Sequence, residues 1–305
     1  MFKQFTPRAR AIWQALFVTF LWSTSWVLIK FGLEDIPALT FAGLRYFLAF
    51  LLLLPFFWRS AAATPLRALT RRDWLLLLLL GLVYYTITQG AMFVSLAYVP
   101  AIALSLVLNA TAVVVAVLGI WLLAERPSWG QWGGTAVFLL GCVIYFYPSE
   151  IPVGQMIGYL FALITLLANA FASILGRAVN RHSRLHPLTV TVVSMGLGSM
   201  LLLTAGLLLE PWPSIHWQNW LLIGWLALVN TAWAFTLWNQ SLRTLTAMES
   251  SVINNTMLIQ IALLAWLFLG ESLGWVEVIG LALAAVGVLL VQLKGTGRRK
   301  EIKDG

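Results

Sequence analysis

Long apolar segments, separated by short polar connections, make up almost the whole of the sequence. A helix needs roughly 20 apolar residues to cross about 30 Å of hydrocarbon. Segments in lipid must be helical, because hydrocarbon offers no partner for backbone N–H and C=O groups. The pattern predicts an all-α integral membrane protein with ten transmembrane helices, at about residues 11–31, 39–58, 74–96, 101–122, 129–147, 154–176, 188–209, 217–239, 246–268 and 274–293.

One stretch of the chain, residues 101–143, recurs at residues 247–289. An offset of 146 positions superposes identical residues along both stretches, among them Ser105 on Ser251, Asn109 on Asn255, Glu125 on Glu271 and Gly134 on Gly280. This ungapped register predicts two copies of a five-helix unit, residues 1–148 and 149–294, followed by a basic cytoplasmic tail at 295–305. Because five is odd, the second copy enters the membrane inverted, which is typical of secondary transporters with two mirrored halves.

Composition and charge agree with a chain that resides in lipid. Of all residues 61% are hydrophobic and 10% are charged, and 17 of the 19 Lys and Arg residues fall at the two termini or in the loops after predicted helices 2, 4, 6 and 8. The positive-inside rule therefore predicts a multi-pass protein of the cell (inner) membrane with both termini in the cytoplasm. The net charge of +8 is then a topology signal, and no nucleic-acid partner is expected.

Two pairs of polar residues recur inside the predicted membrane helices. Ser105 and Asn109 are four residues apart and share one helix face, and Ser251 and Asn255 repeat the arrangement. At about 1.5 Å of rise per residue, each asparagine lies roughly a dozen Å into the membrane, from opposite surfaces. The two amides are candidates for hydrogen bonding a polar solute in the pathway. The alternative is that they join neighbouring helices, a common use of Asn and Ser in membranes.

Glu249 and Arg45 are the ionisable candidates for function. Glu249 is a candidate for proton coupling, because acids within the membrane are costly and often functional. It also completes a capping box, Thr246-Ala-Met-Glu249, and this structural interpretation is the one that we favour. Arg45 lies about two turns into its predicted helix, where it either pairs with a substrate carboxylate or bonds to backbone carbonyls. Lys30 is expected to snorkel to the interface.

Aromatic and amide side chains cluster on predicted helices 1, 3 and 8: Trp22, Trp26, Tyr84, Tyr85, Gln89 and Trp238. Trp22 and Trp26 are four residues apart and share a face. Such a surface can receive an apolar or aromatic solute, although a single Trp in a membrane protein is more often a packing or interfacial residue. Predicted helices 5 and 10 carry glycines but few polar groups. They are therefore expected to form a scaffold or a homodimer contact outside the pathway.

Three sequence blocks carry a family resemblance: FLWSTSWVLIK in the first helix, AGLRYFLAFLLLLP in the second, and LLAERPSWGQWGGTAVFLLG. With the repeated ten-helix pattern, they resemble the drug/metabolite transporter superfamily, specifically EamA-type exporters. The resemblance implies a basket of helices 1–4 and 6–9 around a central cavity, with helices 5 and 10 peripheral. It also implies export of amino acids or similar metabolites, driven by the proton gradient. The aromatic interior resembles in character the family's aromatic amino acid exporters.

The chain departs from the family in one respect. Family members often carry Pro shortly after the position of Asn109, whereas here Ala110-Thr111 and Thr256-Met257 follow the two asparagines. A mechanism that depends on a proline hinge in these helices is therefore not expected for this chain.

The sequence thus predicts a secondary transporter that exports small metabolites, first of all apolar or aromatic amino acids, by alternating access and without a cofactor. Other metabolites, drug-like cations and passive exchange remain as transport alternatives, and a channel or a scaffold as non-transport alternatives. An enzyme is not expected. The three histidines, His182, His186 and His216, lie outside the predicted helices, the lone Cys142 excludes a Cys₄ metal site, and no HExxH motif or paired intramembrane Asp occurs.

We expect Asn109→Ala and Asn255→Ala each to reduce substrate flux without loss of folded protein, because each removes an amide that could bond the solute within the membrane. Flux into proteoliposomes, normalised to the amount of monodisperse protein, measures the effect. Unchanged transport in both variants would remove the two asparagines from the pathway.

Overall fold

The computed structural model describes residues 6–60, 64–123, 128–147, 152–182, 185–241, 244–245 and 247–301. Within these ranges every regular element is helical. The α-helices are α1 (Pro7–Gly32), α2 (Ala38–Arg59), α3 (Arg71–Leu80), α4 (Gln89–Tyr98), α5 (Ala101–Asn109), α6 (Thr111–Leu123), α7 (Trp129–Phe146), α8 (Met156–His182), α9 (Pro187–Leu209), α10 (Trp217–Ala227), α11 (Ala234–Ser241), α12 (Ala247–Leu269) and α13 (Trp275–Glu301).

Six described segments are long and apolar enough to cross a membrane: Pro7–Gly32, Ala38–Arg59, Arg71–Tyr98, Val153–Gly176, Pro187–Leu209 and Val252–Leu269. Two shorter apolar helices, Ala101–Val115 and Trp275–Val291, accompany them. The predicted all-helical, multi-pass membrane fold is confirmed. The number of ten crossings and the inverted relation of the two sequence copies stay predictions.

The helices differ from the predicted ones in their interruptions and in two of their ends. The third and eighth predicted helices each contain a π-helical segment, Gly81–Thr88 between α3 and α4, and Leu228–Trp233 between α10 and α11. The fourth is divided at Ala110, whose N–H donates to the carbonyl of Val107 at 3.0 Å. Helix α8 continues to His182, so that residue is helical and not in a loop. Helix α13 continues to Glu301, into the predicted tail.

Contacts between Cα atoms divide the chain into two compact units. The first unit consists of Met1–Val27, Pro100–Val153 and Ala234–Gly305, and the second of Leu28–Val99 and Gly154–Trp233. Each unit therefore draws helices from both predicted halves of the sequence. Those halves, 1–148 and 149–294, stay a prediction about the repeat.

In the first unit, α7 and α13 pack backbone against backbone through glycines. A Cβ atom added at Gly134 would lie 2.7 Å from the amide nitrogen of Val291, and one added at Gly280 would lie 2.5 Å from that of Tyr145. Gly141 and Gly287 make contacts of the same kind with Ala284 and Phe138. Small residues let membrane helices approach this closely. These glycines thus hold two helices of one chain together, and the predicted homodimer through the same helices remains a prediction.

Glutamates from neighbouring segments bind helix N-termini in both units. In the first unit, the carboxylate of Glu271 accepts from the N–H groups of Ala101 at 2.6 Å and Ile102 at 3.0 Å, at the start of α5. In the second, Glu210 accepts from the N–H groups of Leu39 at 2.9 Å and Thr40 at 2.8 Å, at the start of α2. The first N–H groups of a helix lack partners within it and carry partial positive charge. The two carboxylates supply hydrogen-bond acceptors and negative charge to these N–H groups.

The second unit is held together by close approach of α9 to its neighbours. A Cβ atom added at Gly43 of α2 would lie 2.6 Å from Leu203 Cα, and one added at Gly81 would lie 2.5 Å from the carbonyl oxygen of Ser194. The hydroxyl of Thr86 donates to the carbonyl of Gly198 at 2.8 Å. The π-helical segment Gly81–Thr88 is therefore fixed directly against the backbone of α9.

Replacing Gly134 by valine is expected to lower the free energy of unfolding by about 1–3 kcal/mol, the usual cost of extra atoms in a packed interface. Gly133 is the matched control, because it is exposed and a Cβ atom added there meets nothing within 4 Å. Thermal unfolding of purified Gly134→Val and Gly133→Val checks the difference. Equal stability of the two variants would contradict the close contact of α7 with α13.

Candidate functional site

The two π-helical segments occupy nearly equivalent places in the sequence repeat. With the offset of 146 positions, Leu228–Trp233 falls on residues 82–87, inside Gly81–Thr88. A threonine hydroxyl donates to a carbonyl five residues earlier in each, from Thr88 to Val83 at 2.8 Å and from Thr231 to Leu226 at 2.9 Å. Insertions of this kind occur frequently at functional sites. Both segments belong to the second unit, and both contribute residues to the surroundings of Arg45.

Arg45 lies in the interior of the second unit, with only 5% of its surface exposed. Its Nε atom lies 3.4 Å from the hydroxyl oxygen of Thr231, which is the acceptor, and its guanidinium carbon lies 5.2 Å from the ring centroid of Tyr46. Among the described residues no carboxylate lies within 4.0 Å of the guanidinium, and its two Nη groups make no hydrogen bond. A buried cation without a counter-charge is costly. The Nη groups are therefore candidates for pairing with an anion.

Three tyrosines and a glutamine extend this site. The hydroxyl of Tyr46 donates to Gln89 Oε1 at 2.7 Å. The ring of Tyr85 packs edge-on against Tyr46 with centroids 5.7 Å apart, and Tyr84 packs against Tyr85 at 4.9 Å. Arg45, Tyr46, Tyr84, Tyr85, Gln89 and Thr231 are called the Arg45 cluster below.

The Arg45 cluster unites four of the predicted site residues, Arg45, Tyr84, Tyr85 and Gln89. The sequence analysis missed Tyr46 and Thr231. A signal for Thr231 was available, because the offset of 146 places it on Tyr85, a residue that had been singled out. Tyr46 directly follows Arg45, but its partner Gln89 is 43 residues away in sequence, and nothing local indicates that contact.

The predicted tryptophans lie in the first unit. Trp22 packs against Trp238 with ring centroids 5.3 Å apart, and against Phe235 at 5.2 Å. Trp22 and Trp238 are half-buried, and Trp26 is buried. These contacts join α1 to α11 and agree with a packing role as well as with a lining role.

A polar network joins α1 to α12 in the first unit. It was not among the sites predicted from the sequence. The hydroxyl of Ser23 donates to Gln260 Oε1 at 3.0 Å, and Gln260 Nε2 donates to Thr256 at 3.1 Å and to Thr19 at 3.3 Å. Thr19 and Ser23 are completely buried. The available signal was the spacing of four residues from Thr19 to Ser23 and from Thr256 to Gln260, which places each pair on one helix face.

Of the two predicted serine–asparagine pairs, the structure describes the side chains of Ser105, Asn109 and Asn255. The side-chain amide of Asn109 donates to the carbonyl of Ser105 at 2.8 Å, and the hydroxyl of Ser105 donates to that of Ile102 at 2.8 Å, all within α5. Asn255 is half-buried on α12. The side chain of Ser251 lies outside the described residues. The pathway role of these four residues stays a prediction.

Two further charged residues bind partners near helix ends. Arg8 Nε donates to Glu249 Oε1 at 2.9 Å, so this carboxylate, in the first turn of α12, is engaged in an ion pair. The predicted capping partner Thr246 lies outside the described residues. Lys30 Nζ donates to the carbonyls of Leu96 at 2.7 Å and Val99 at 2.9 Å, at the end of α4, and its snorkelling to the interface stays a prediction.

The comparisons with known proteins agree with this architecture. The profile of the EamA-like transporter family matches residues 9–147 and again residues 156–293. The chain is 25% identical to "Uncharacterized transporter YoaV" of Bacillus subtilis, over 90% of this chain and 93% of that protein. It is 27% identical to "Probable amino-acid metabolite efflux pump" of Escherichia coli, over 95% and 97% of the respective chains.

A solved crystal structure that is 18% identical shares the fold, with a TM-score of 0.65 over 94% of this chain and 98% of that one. The two family matches together account for nearly all of the sequence, and the helices inside both are apolar enough to include membrane spans. This protein therefore belongs to the EamA-like transporter family and is a multi-pass membrane transporter, not an enzyme.

Proposed function

We propose that this transporter exports amino acids with apolar or aromatic side chains, and that Arg45 binds the substrate carboxylate. The observation that carries the proposal is the buried Arg45 guanidinium, which has no carboxylate partner among the described residues. It lies beside the ring of Tyr46, which packs against Tyr85, and Tyr85 packs in turn against Tyr84. The name of the Escherichia coli relative, an amino-acid metabolite efflux pump, points to the same substrate class.

The charge and geometry of Arg45 favour a carboxylate. Guanidinium groups bind carboxylates through two parallel N–H···O bonds, which are shorter and stronger than hydrogen bonds between neutral groups. The contact of Nε with Thr231 restrains the guanidinium and leaves both Nη groups for such a pair. Low exposure strengthens the attraction, because little water screens it. The same cation disfavours the alternative of a drug-like cationic substrate.

The tyrosines of the Arg45 cluster favour an apolar or aromatic side chain on the substrate. Aromatic rings pack favourably edge to face at centroid distances of about 4.5–7 Å, the geometry that Tyr46, Tyr84 and Tyr85 already adopt among themselves. The cluster contains no acid, so the substrate ammonium group is expected to interact with tyrosine oxygens, with Gln89 and with ring faces.

Transport is expected to proceed by alternating access, in the cell (inner) membrane and with both termini in the cytoplasm. The two family matches and the equivalent positions of the two π-helical segments support two related halves. Inverted halves would supply the two conformations. Glu249 remains the coupling candidate, although its ion pair with Arg8 favours a structural role.

Arg45→Gln is expected to raise the apparent KM for phenylalanine efflux about thirty-fold or more, because leaving one partner of a buried charge pair unpaired costs about 2–5 kcal/mol. Arg45→Lys keeps the charge but loses the fork of N–H groups, so an intermediate effect is expected. Flux of labelled amino acids in proteoliposomes, with and without an imposed pH gradient, measures these effects. Dependence on the gradient would support coupling through a proton.

Arg59→Gln is the matched control, because Arg59 is an exposed arginine at the end of the same helix and lies outside the cluster. It should transport like the wild type. Phenethylamine, which lacks the carboxylate and is a cation, should be a poor substrate of the wild type, and Arg45→Gln should not weaken its transport. An unchanged KM for phenylalanine in Arg45→Gln, or no flux of any amino acid, would refute the proposed substrate class.

A further inference from the structure

A separate cavity of about 210 Å³ lies within the second unit. Its walls come from α3 with the following π-helical segment, from α8 and from α9. The residues that line the cavity include Tyr84, Tyr85, Ser173, Gly176, Thr191 and Ser194. The other described lining residues, Leu80, Ala172 and Val190, are apolar, and none of the described lining residues is charged.

The cavity is not the anion site of the Arg45 cluster. Arg45, Gln89 and Thr231 do not line it. The two sites share Tyr84 and Tyr85, and the ring of Tyr85 packs against Tyr46, whose ring also lies next to Arg45. The cavity therefore adjoins the Arg45 cluster through these two tyrosines and differs from it in charge.

Five hydroxyl groups define the chemistry of the cavity. The hydroxyls of Ser173 and Ser194 donate to carbonyls of their own helices, Asn169 at 2.8 Å and Val190 at 2.6 Å, so their oxygens remain as acceptors. Within the described part of the chain, the hydroxyls of Tyr84, Tyr85 and Thr191 make no hydrogen bond, and all three residues line the cavity. The described lining thus offers both donors and acceptors and carries no formal charge.

Small residues on α8 create the space. Ala172, Ser173 and Gly176 line one wall, and a Cβ atom added at Gly176 would meet only Leu80 Cδ1, at 4.0 Å. An engineered apolar cavity of roughly 150 Å³ is large enough to bind benzene. A cavity of about 210 Å³ can therefore hold one aromatic ring with a polar substituent.

We propose that this cavity is a second binding site, for uncharged aromatic molecules of the size of a phenol or an indole with one hydroxyl or N–H group. The ring packs on the tyrosine pair, and the polar group bonds to the hydroxyls of α8 and α9. A charged ligand is disfavoured, because none of the described lining residues supplies a counter-charge that would offset its loss of water. The site goes beyond the proposed transport function, since its ligand does not need a carboxylate.

Binding of para-fluorophenol to the purified full-length protein, followed by fluorine NMR, tests the proposal. Saturable binding is expected, and para-fluorobenzoate, which has the same ring and a negative charge, should not compete for this site. Gly176→Leu should weaken phenol binding at least tenfold, because the added side chain fills the cavity. Partition of the probe into detergent does not saturate and is the same for all variants.

Gly224→Leu is the matched control, because Gly224 lies in the same unit, does not line the cavity and has nothing within 4 Å of an added Cβ atom. It should bind para-fluorophenol like the wild type. Arg45→Gln should also retain phenol binding, whatever its effect on transport, so this test does not depend on the proposed substrate. Thermal unfolding verifies that each variant is folded.

Tyr84→Phe provides a second test, because it removes one hydroxyl and leaves the ring. We expect several-fold weaker phenol binding in this variant, and its result decides the question if Gly176→Leu does not fold. The proposal is overturned by a lack of saturable phenol binding in the wild type, by equal binding of para-fluorobenzoate in Arg45→Gln, which lacks the proposed carboxylate partner, or by unchanged affinity in both cavity variants.

Discussion

Every backbone polar group in the membrane must find its partner inside the protein, because the surrounding hydrocarbon supplies none. The described chain meets this demand with helices almost throughout, and its exceptions are informative. Where the helices widen, Thr88 and Thr231 donate to carbonyls of Val83 and Leu226. Where helices begin, Glu271 and Glu210 bind N–H groups of α5 and α2. Irregular backbone is thus tolerated where a side chain compensates for it.

The same hydrocarbon surroundings explain why glycines and tyrosines have different roles in this structure. Lipid is as apolar as the helix surfaces, so helices associate through close packing and interhelical polar contacts rather than through a hydrophobic driving force. Glycines supply the packing between α7 and α13 and between Gly81 and Gly198. The tyrosines of the Arg45 cluster instead pack against one another by their rings, and the hydroxyl of Tyr46 donates to Gln89. Close backbone packing and candidate binding residues therefore occur together along the π-helical segment Gly81–Thr88.

Electrostatics distinguishes the two candidate binding regions of the second unit. Arg45 carries a buried positive charge that favours an anion, whereas the described residues that line the cavity, Ser173, Gly176 and Thr191 among them, supply hydroxyls but no charge. Tyr85 contributes to both regions. Its ring packs against Tyr46 and the residue also lines the cavity, so an uncharged ligand and a carboxylate ligand would have adjacent but chemically separate sites.

Much of this architecture was predictable from the sequence, because hydrophobic segment length and proline positions are local properties. They indicated the helices, and rare polar residues within apolar segments singled out Arg45, Tyr84, Tyr85 and Gln89. The offset of 146 positions also related the regions in which both π-helical segments occur. The offset did not predict that the two helices become π-helical there, because that change depends on the neighbouring helices and not on the hydrophobic pattern.

The sequence by itself thus determined that the chain is a helical membrane protein with a repeated pattern and a few polar residues in its apolar segments. Only the tertiary structure decided which of these residues meet. Tyr46 reaches Gln89, Arg45 reaches Thr231, Gln260 reaches Thr19 and Ser23, and Lys30 reaches the end of α4. Each of these contacts joins helices distant in sequence. The physical reason is that a buried polar side chain forms a hydrogen bond with whichever partner the neighbouring helix places next to it. The sequence around that side chain does not show which helix the neighbour will be.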